Sequence, residues 1–153
     1  MAVKMWIDAD GCPRDCKEMV QRAAVRRGLE LTFVANRPLH LGTKSAKITS
    51  VVVEAGLDVA DAYLVKHAQP GDLVVTSDVP LAAELVEKGI EALSPRGELY
   101  TAANVRERLS LRDFFTEARE SGVMQGTGPP PYDEKAKRQF ANALDRWLTR
   151  ATR

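Results

Sequence analysis

Over its first hundred residues the chain alternates short apolar runs with amphipathic stretches. Lys4 to Asp8 is nearly continuous apolar sequence and reads as a buried strand. Residues 13–27 then place Met19, Val20, Ala23 and Ala24 on one helical face, with Gly28 as the stop. Strand-like runs recur at Leu29 to Ala35, at the β-branched Ile48 to Val53, at Asp72 to Thr76 after the Pro70–Gly71 turn, and at Ile90 to Leu93. Asp58 to His67, introduced by Gly56, and residues 80–88, closed by Gly89, read as helices. Strands separated by helices predict an α/β fold whose mostly parallel sheet is covered on both faces.

The last third reads differently. Asn104 followed by Glu107 has the spacing of a capping box, and Val105, Leu109, Phe115 and Ala118 fit the inner face of a helix reaching about Ser121. Gly126, Gly128 and Pro129 to Pro131 break it, so residues 122–132 form an extended connector. From about Asp133 a final helix carries Ala136, Phe140, Ala143, Leu144, Trp147 and Leu148 at helical spacing, the pattern of a face packed on the core. One domain over 1–153 follows, with an α/β part at 1–103 and a C-terminal helical part at 104–153.

With 153 residues, 44% hydrophobic and 28% charged, the chain can bury a core without a disulfide or metal. No apolar run approaches the ~20 residues of a membrane-spanning helix. The start, from Met1 through Lys4 directly into a strand, lacks the pattern of an export signal, so a cytoplasmic address is expected. The net charge of +1 is unevenly spread, at −2 over residues 1–103 and +3 over residues 104–153. No acidic residue lies between Glu30 and Glu54, where Arg37, His40, Lys44 and Lys47 occur with Gly42, Thr43 and Ser45, as in a basic loop.

In an open parallel sheet, ligands bind where strands end. Asp8 ends the first strand, Asp10 follows in the first βα turn, Asp78 follows "VVTS", and Asp58 and Asp61 begin a helix, so five carboxylates are expected on one rim. Taken singly, Asp10, Asp58 and Asp78 each read as helix caps; Asp8, at the end of an apolar strand, has no such task. A convergent set repels itself by about 4 kcal/mol per pair at 4 Å and an effective dielectric near 20, unless a cation or raised pKa values relieve it. Oxygen ligands of this type suit Mg²⁺ or Mn²⁺. Cys12 and Cys16 compete for the same segment, but His40 and His67 are poorly placed to complete a zinc site, and buried, inert thiols are expected.

The phrases "WIDADGCP", "GLDVADAYLV", "GDLVVTSDVPLAAELVEKG", "SPRGELYT", "RERLSLRDFF" and "RQFANALDRWL" resemble, in that order and over nearly the whole chain, the bacterial YaiI/YqxD family. That resemblance implies a PIN-like domain, a three-layer α/β/α fold with C-terminal helices in which acidic residues at strand ends bind divalent metal and cleave RNA. It implies Asp8, Asp61 and Asp78 as holders of Mg²⁺ or Mn²⁺, with Asp10 as a further catalytic residue and Asp58 as a neighbour. Two positions depart from the family pattern, Gly11 where alanine is usual and "GTGP" where "TGGP" is usual, and both concern backbone shape.

The implied activity is metal-assisted phosphodiester hydrolysis, with single-stranded RNA as the expected partner. Arg96 in the "SPRGE" turn either contacts phosphate or pairs with Glu98, Thr76 and Ser77 offer hydroxyls nearby, and Arg37, Lys44 and Lys47 together with the basic C-terminal helices are the expected cations beneath the strand. Two other classes fit parts of the sequence. Asp-x-Asp-Gly after an apolar strand resembles the nucleophile motif of haloacid-dehalogenase phosphatases. Cys12 departs from that motif, however, and Asp72, which begins its strand, should lie ~20 Å from Asp78. A non-catalytic RNA- or partner-binding module with the same fold is the third class.

Overall fold

The computed structural model describes residues 3–39, 47–56, 58–122 and 131–152. Six strands, β1 (Lys4–Asp8), β2 (Glu30–Ala35), β3 (Ile48–Val52), β4 (Leu73–Val75), β5 (Glu91–Leu93) and β6 (Leu99–Tyr100), form one sheet in the order β3-β2-β1-β4-β5-β6. All neighbours are parallel except the β5–β6 pair. The helices are α1 (Arg14–Arg27), α2 (Val59–His67), α3 (Val79–Glu87), α4 (Val105–Glu120) and α5 (Glu134–Ala151). The expected α/β class and mostly parallel sheet are therefore observed, in a three-layer α/β/α arrangement.

Alternation along the strands sorts the two layers. Met5, Ile7, Leu31, Phe33, Leu73, Val75 and Leu93 share a core with α1 and α5, whereas Trp6, Val34, Val74 and Ala92 share one with α2, α3 and Val105 of α4. All six apolar residues expected to form the inner face of α5 are buried. Full burial of a large apolar side chain contributes roughly 1.5–3 kcal/mol, so Phe140, Trp147 and Leu148 anchor this helix to the sheet. Asp133 caps it by accepting from the Ala136 N–H at 2.9 Å. α1 ends at Gly28, in the left-handed conformation that closes a helix.

Three expectations need correction. β6 was missed, because a two-residue strand formed after the turn at residues 94–98 has too little sequence to show a period. The capping box at Asn104 is not formed: its side chain accepts from the Thr101 N–H and donates to the Leu99 carbonyl, fixing the chain before the helix instead. Only Val105 of α4 is buried, while Phe115 is 40% exposed and Leu109 and Ala118 are half-buried. The apolar period marks a face of α4, but the helix touches the core only at its start. The connector expected over 122–132 lies almost wholly outside the described residues.

The turn between β5 and β6 is fitted to α5 through Gly97. Its φ is +89°, and an added Cβ would stand 2.6 Å from the carbonyl of Gln139 in α5. The Tyr132 hydroxyl donates to the Pro95 carbonyl at 2.8 Å, joining the entry to α5 to the same turn. Gly97→Ala should therefore combine left-handed strain with overpacking and cost about 3 kcal/mol in chemical denaturation, against about 1 kcal/mol for Gly28→Ala, whose added Cβ meets nothing within 4 Å. Equal losses in the two variants would show that α5 does not press on the turn.

Candidate functional site

The chain builds outward from β1 through β2 to β3, then crosses back to place β4 on the other side of β1. This reversal makes the carboxyl ends of β1 and β4 the switch point at which open α/β sheets bind ligands. Asp8 closes β1 there and is 8% exposed, on the strand face it shares with Trp6 and therefore with α2 and α3. Its Oδ2 accepts from the Thr76 hydroxyl at 2.9 Å, and that same hydroxyl accepts from the Asp78 N–H at 3.0 Å. Thr76 thus orients Asp8 and fixes the start of the Asp78 loop. Across the gap, Ser77 Oγ donates to the Gly11 carbonyl at 2.8 Å, so the loops after β1 and β4 are laced together.

The other carboxylates arrive from three elements. Asp78 caps α3, accepting from the Leu81 N–H at 3.1 Å, as its position predicts. Asp10 lies in the 3-10 turn Ala9–Gly11 and caps nothing; its Oδ2 accepts from the Asn36 N–H at 2.8 Å and ties this turn to the loop after β2. Asp58 precedes α2 with φ +62° and makes no capping bond with its side chain. Asp61, in the first turn of α2, meets Asp78. Burial first, then the charge of Asp78, a hydrogen bond shared with it, and the charges of Asp8 and Asp58 raise the Asp61 pKa to about 7. Asp8 is also raised, by burial against the opposing Thr76 hydrogen bond, with Asp78 and Asp10 adding to the rise.

Asp8, Asp61 and Asp78 are therefore electrostatic neighbours, with Asp10 acting on Asp8 and Asp58 on Asp61. Among the described residues no cation appears in the set of groups that shift Asp8 or Asp61. Among the described residues no three His, Cys, Asp or Glu side chains stand close enough to form a ready metal cage. The donor chemistry suits a hydrated Mg²⁺ or Mn²⁺ held by one or two carboxylates and waters, the habit of a small hard cation, rather than an all-protein site.

The expected cations are placed unequally. Arg37 is exposed in the loop after β2, beside the Asn36 N–H that holds Asp10. Arg96 is exposed in the turn after β5, on the same carboxyl edge, and Glu98 pairs with Arg108 at 2.6 Å. Lys47 is not on this rim. It immediately precedes β3 at the opposite edge of the sheet, where its Nζ donates to the Gly28 carbonyl at 2.7 Å, matching a cation to the carbonyl end of α1. Lys44 lies outside the described residues. Cys12 and Cys16 are buried, and the hydrogen bond to Cys16 together with burial pushes the Cys12 thiol up, so it stays protonated. Asp72 sits at the start of β4, away from the rim, accepting from the Lys4 N–H, Trp6 Nε1 and Gln69 N–H.

A cleft of about 770 Å³ opens beside the rim, between Gly11, Pro13 and Ser77 on one side and Ser94 to Arg96, Tyr132 and Gln139 on the other. The basic character of the C-terminal helices is legible in the sequence; that Gln139 of α5 lines this cleft follows only from the fold.

Fold and site together define an open three-layer α/β protein with an acidic rim at its topological switch point. The chain belongs to the uncharacterized BCR, YaiI/YqxD family, whose sequence model matches residues 6–150. It is 54% identical to a UPF0178 protein of Psychromonas ingrahamii over 147 residues, covering 96% of each chain. It is 53% identical to a UPF0178 protein of Myxococcus xanthus, over 97% of this chain and 95% of that one. A UPF0178 protein of Aliivibrio fischeri is 50% identical, over 97% of this chain and 99% of the relative. No solved structure matches.

The raised pKa of Asp61 fixes a direction for pH dependence. Between the ordinary carboxyl pKa near 3.8 and about 7 the folded state holds a proton that the unfolded chain has released. Stability contributed by this group is present at low pH and lost as pH rises through that window. In chelator-treated protein, the difference in stability between Asp61→Asn and wild type should grow in favour of the variant from pH 4 to pH 8, measured by urea denaturation. A difference that stays flat would contradict the crowding of Asp61 by Asp78 and Asp8.

Proposed function

We propose that this protein is a divalent-metal-dependent nuclease with a PIN-like site, hydrolysing phosphodiester bonds of single-stranded RNA. The observation that carries this reading is the gathering of Asp8, Asp61 and Asp78 from β1, α2 and the start of α3 at the switch point, where Asp78 adds to the raised proton affinity of Asp8, and Asp78 and Asp8 add to that of Asp61. Only Asp78 has a structural task that accounts for it, as the α3 cap. The set coincides with the one that the family resemblance implies.

Asp8, Asp61 and Asp78 would hold Mg²⁺ or Mn²⁺, which when bound supplies charge neutralisation at the scissile phosphate and an acidified water. Thr76 keeps Asp8 aimed at the rim through its hydroxyl. Asp61, whose pKa is raised to about 7 by burial and by Asp78, would be the carboxyl that a bound cation most favours in its ionised form. Asp10 is exposed and held by the Asn36 N–H, which leaves its second oxygen to orient a water. Arg96 and Arg37, on the two sides of the rim, are the groups for phosphate oxygens.

Cleavage of a labelled single-stranded RNA in Mn²⁺ tests this. Asp8→Asn and Asp78→Asn should each lower the rate at least about 100-fold, while RNA binding in chelator stays the same or tightens. Asparagine also caps helices, so Asp78→Asn should keep α3 and the fold. Unchanged cleavage in both variants would remove these carboxylates from the chemistry. RNA binding by wild type without any cleavage would make the protein a binding module, and phosphate trapped on Asp8 from small phosphomonoesters would make it a phosphatase.

A further inference from the structure

α5 presents two faces of different chemistry. Its apolar face is buried against the sheet, while Lys135, Gln139, Asn142 and Arg146, spaced at four, three and four residues, line one exposed flank. Gln139, Asn142 and Arg146 form one wall of a depression of about 470 Å³, and Arg96, Gly97 and Glu98 form the other. Arg96, Glu98 and Gln139 also line the 770 Å³ cleft that reaches Gly11 and Ser77, so the two hollows adjoin and together extend from the loops that flank Asp8 to Arg146.

The charge along this path is positive at its far end. Glu98, its acidic member, is paired with Arg108, and Asp145, beside Arg146 in sequence, turns away to Arg27 at 3.4 Å. Arg146 makes no ion pair among the described residues, and neither of its neighbours Gln139 and Asn142 carries charge. Two arginines with two amide side chains between them can bond phosphate oxygens and ribose hydroxyls without regard to base. Because Gly97 brings the turn against the α5 backbone, Arg96 and Arg146 are held on facing walls.

We propose that this groove is the track for the phosphate backbone of a single-stranded nucleic acid, running from the rim through Arg96 and Gln139 to Asn142 and Arg146. It rests on the reading of the rim as a place where a phosphodiester is handled. It also supplies what the rim alone lacks, since a row of carboxylates repels the strand that it is to act on. The track lies on the β5 side of the sheet and makes no use of Lys47, which faces the other edge.

Fluorescence anisotropy of a labelled single-stranded RNA, in chelator and over a series of salt concentrations, tests the track apart from catalysis. Arg146→Ala should weaken binding about tenfold and reduce the slope of log K against log salt by about 0.7, one phosphate contact. Arg146→Lys should keep the slope and recover part of the affinity. Arg26→Ala, in the last turn of α1 at the opposite edge of the sheet, should do neither. Binding by Arg146→Ala and by Arg96→Gln that equals wild type would overturn the track even if wild type cuts RNA. Arginine-dependent binding without any Mn²⁺-dependent cleavage would support the track and count against the nuclease. Displacement of the RNA by a mononucleotide at equal phosphate concentration would overturn the strand as occupant.

Discussion

Everything at the functional edge of this molecule follows from a buried carboxylate at the end of a central strand. Asp8 is the last residue of β1, whose neighbours β2 and β4 leave it little water, yet among the described residues its surroundings offer a hydroxyl and no cation. A carboxylate so placed raises the energy of any negative charge beside it, and the fold nevertheless brings Asp78 and Asp61 there. Protons relieve part of the repulsion, as the Asp61 value of about 7 records. Small hard cations relieve it more completely, and this links the proposed chemistry to a cost already present in the fold.

The C-terminal helix connects the core to the site. Phe140, Trp147 and Leu148 fix α5 against the sheet, and its outer flank then has no freedom in where it presents Gln139, Asn142 and Arg146. Gly97 sets the spacing between that flank and the turn carrying Arg96, because a side chain there would strike the α5 backbone. One amphipathic helix thus serves packing on one face and a polar groove on another, and the groove is only as well defined as the packing beneath it.

Much of this was legible in the sequence, for reasons that can be named. Buried strands such as "MWID" and "LVV" have few alternatives, and Gly28 closes α1 as a left-handed glycine should, so the α/β order could be read directly. Asp8 stood out because an acid ending an apolar strand has no local use. What could not be read was long-range. Asp10 has the position of a cap, but its partner is the Asn36 N–H, 26 residues away. Lys47 belongs to a basic stretch of sequence, but strand direction sends it to the opposite edge from Asp8. Phe115 has the period of a core residue on a helix of which, among the described residues, only Val105 is buried. Periodicity states which residues share a face, and topology alone decides what that face meets.

If Asp8, Asp61 and Asp78 form one cation site, as we propose, anomalous diffraction from crystals of the full chain grown with Mn²⁺ will locate the ion. An anomalous peak is expected at the carboxyl ends of β1 and β4, within about 2.5 Å of oxygens from at least two of these three carboxylates, with waters completing the shell. Ordered density for all three side chains without a peak among them, at a Mn²⁺ concentration that fills other sites in the crystal, would contradict it.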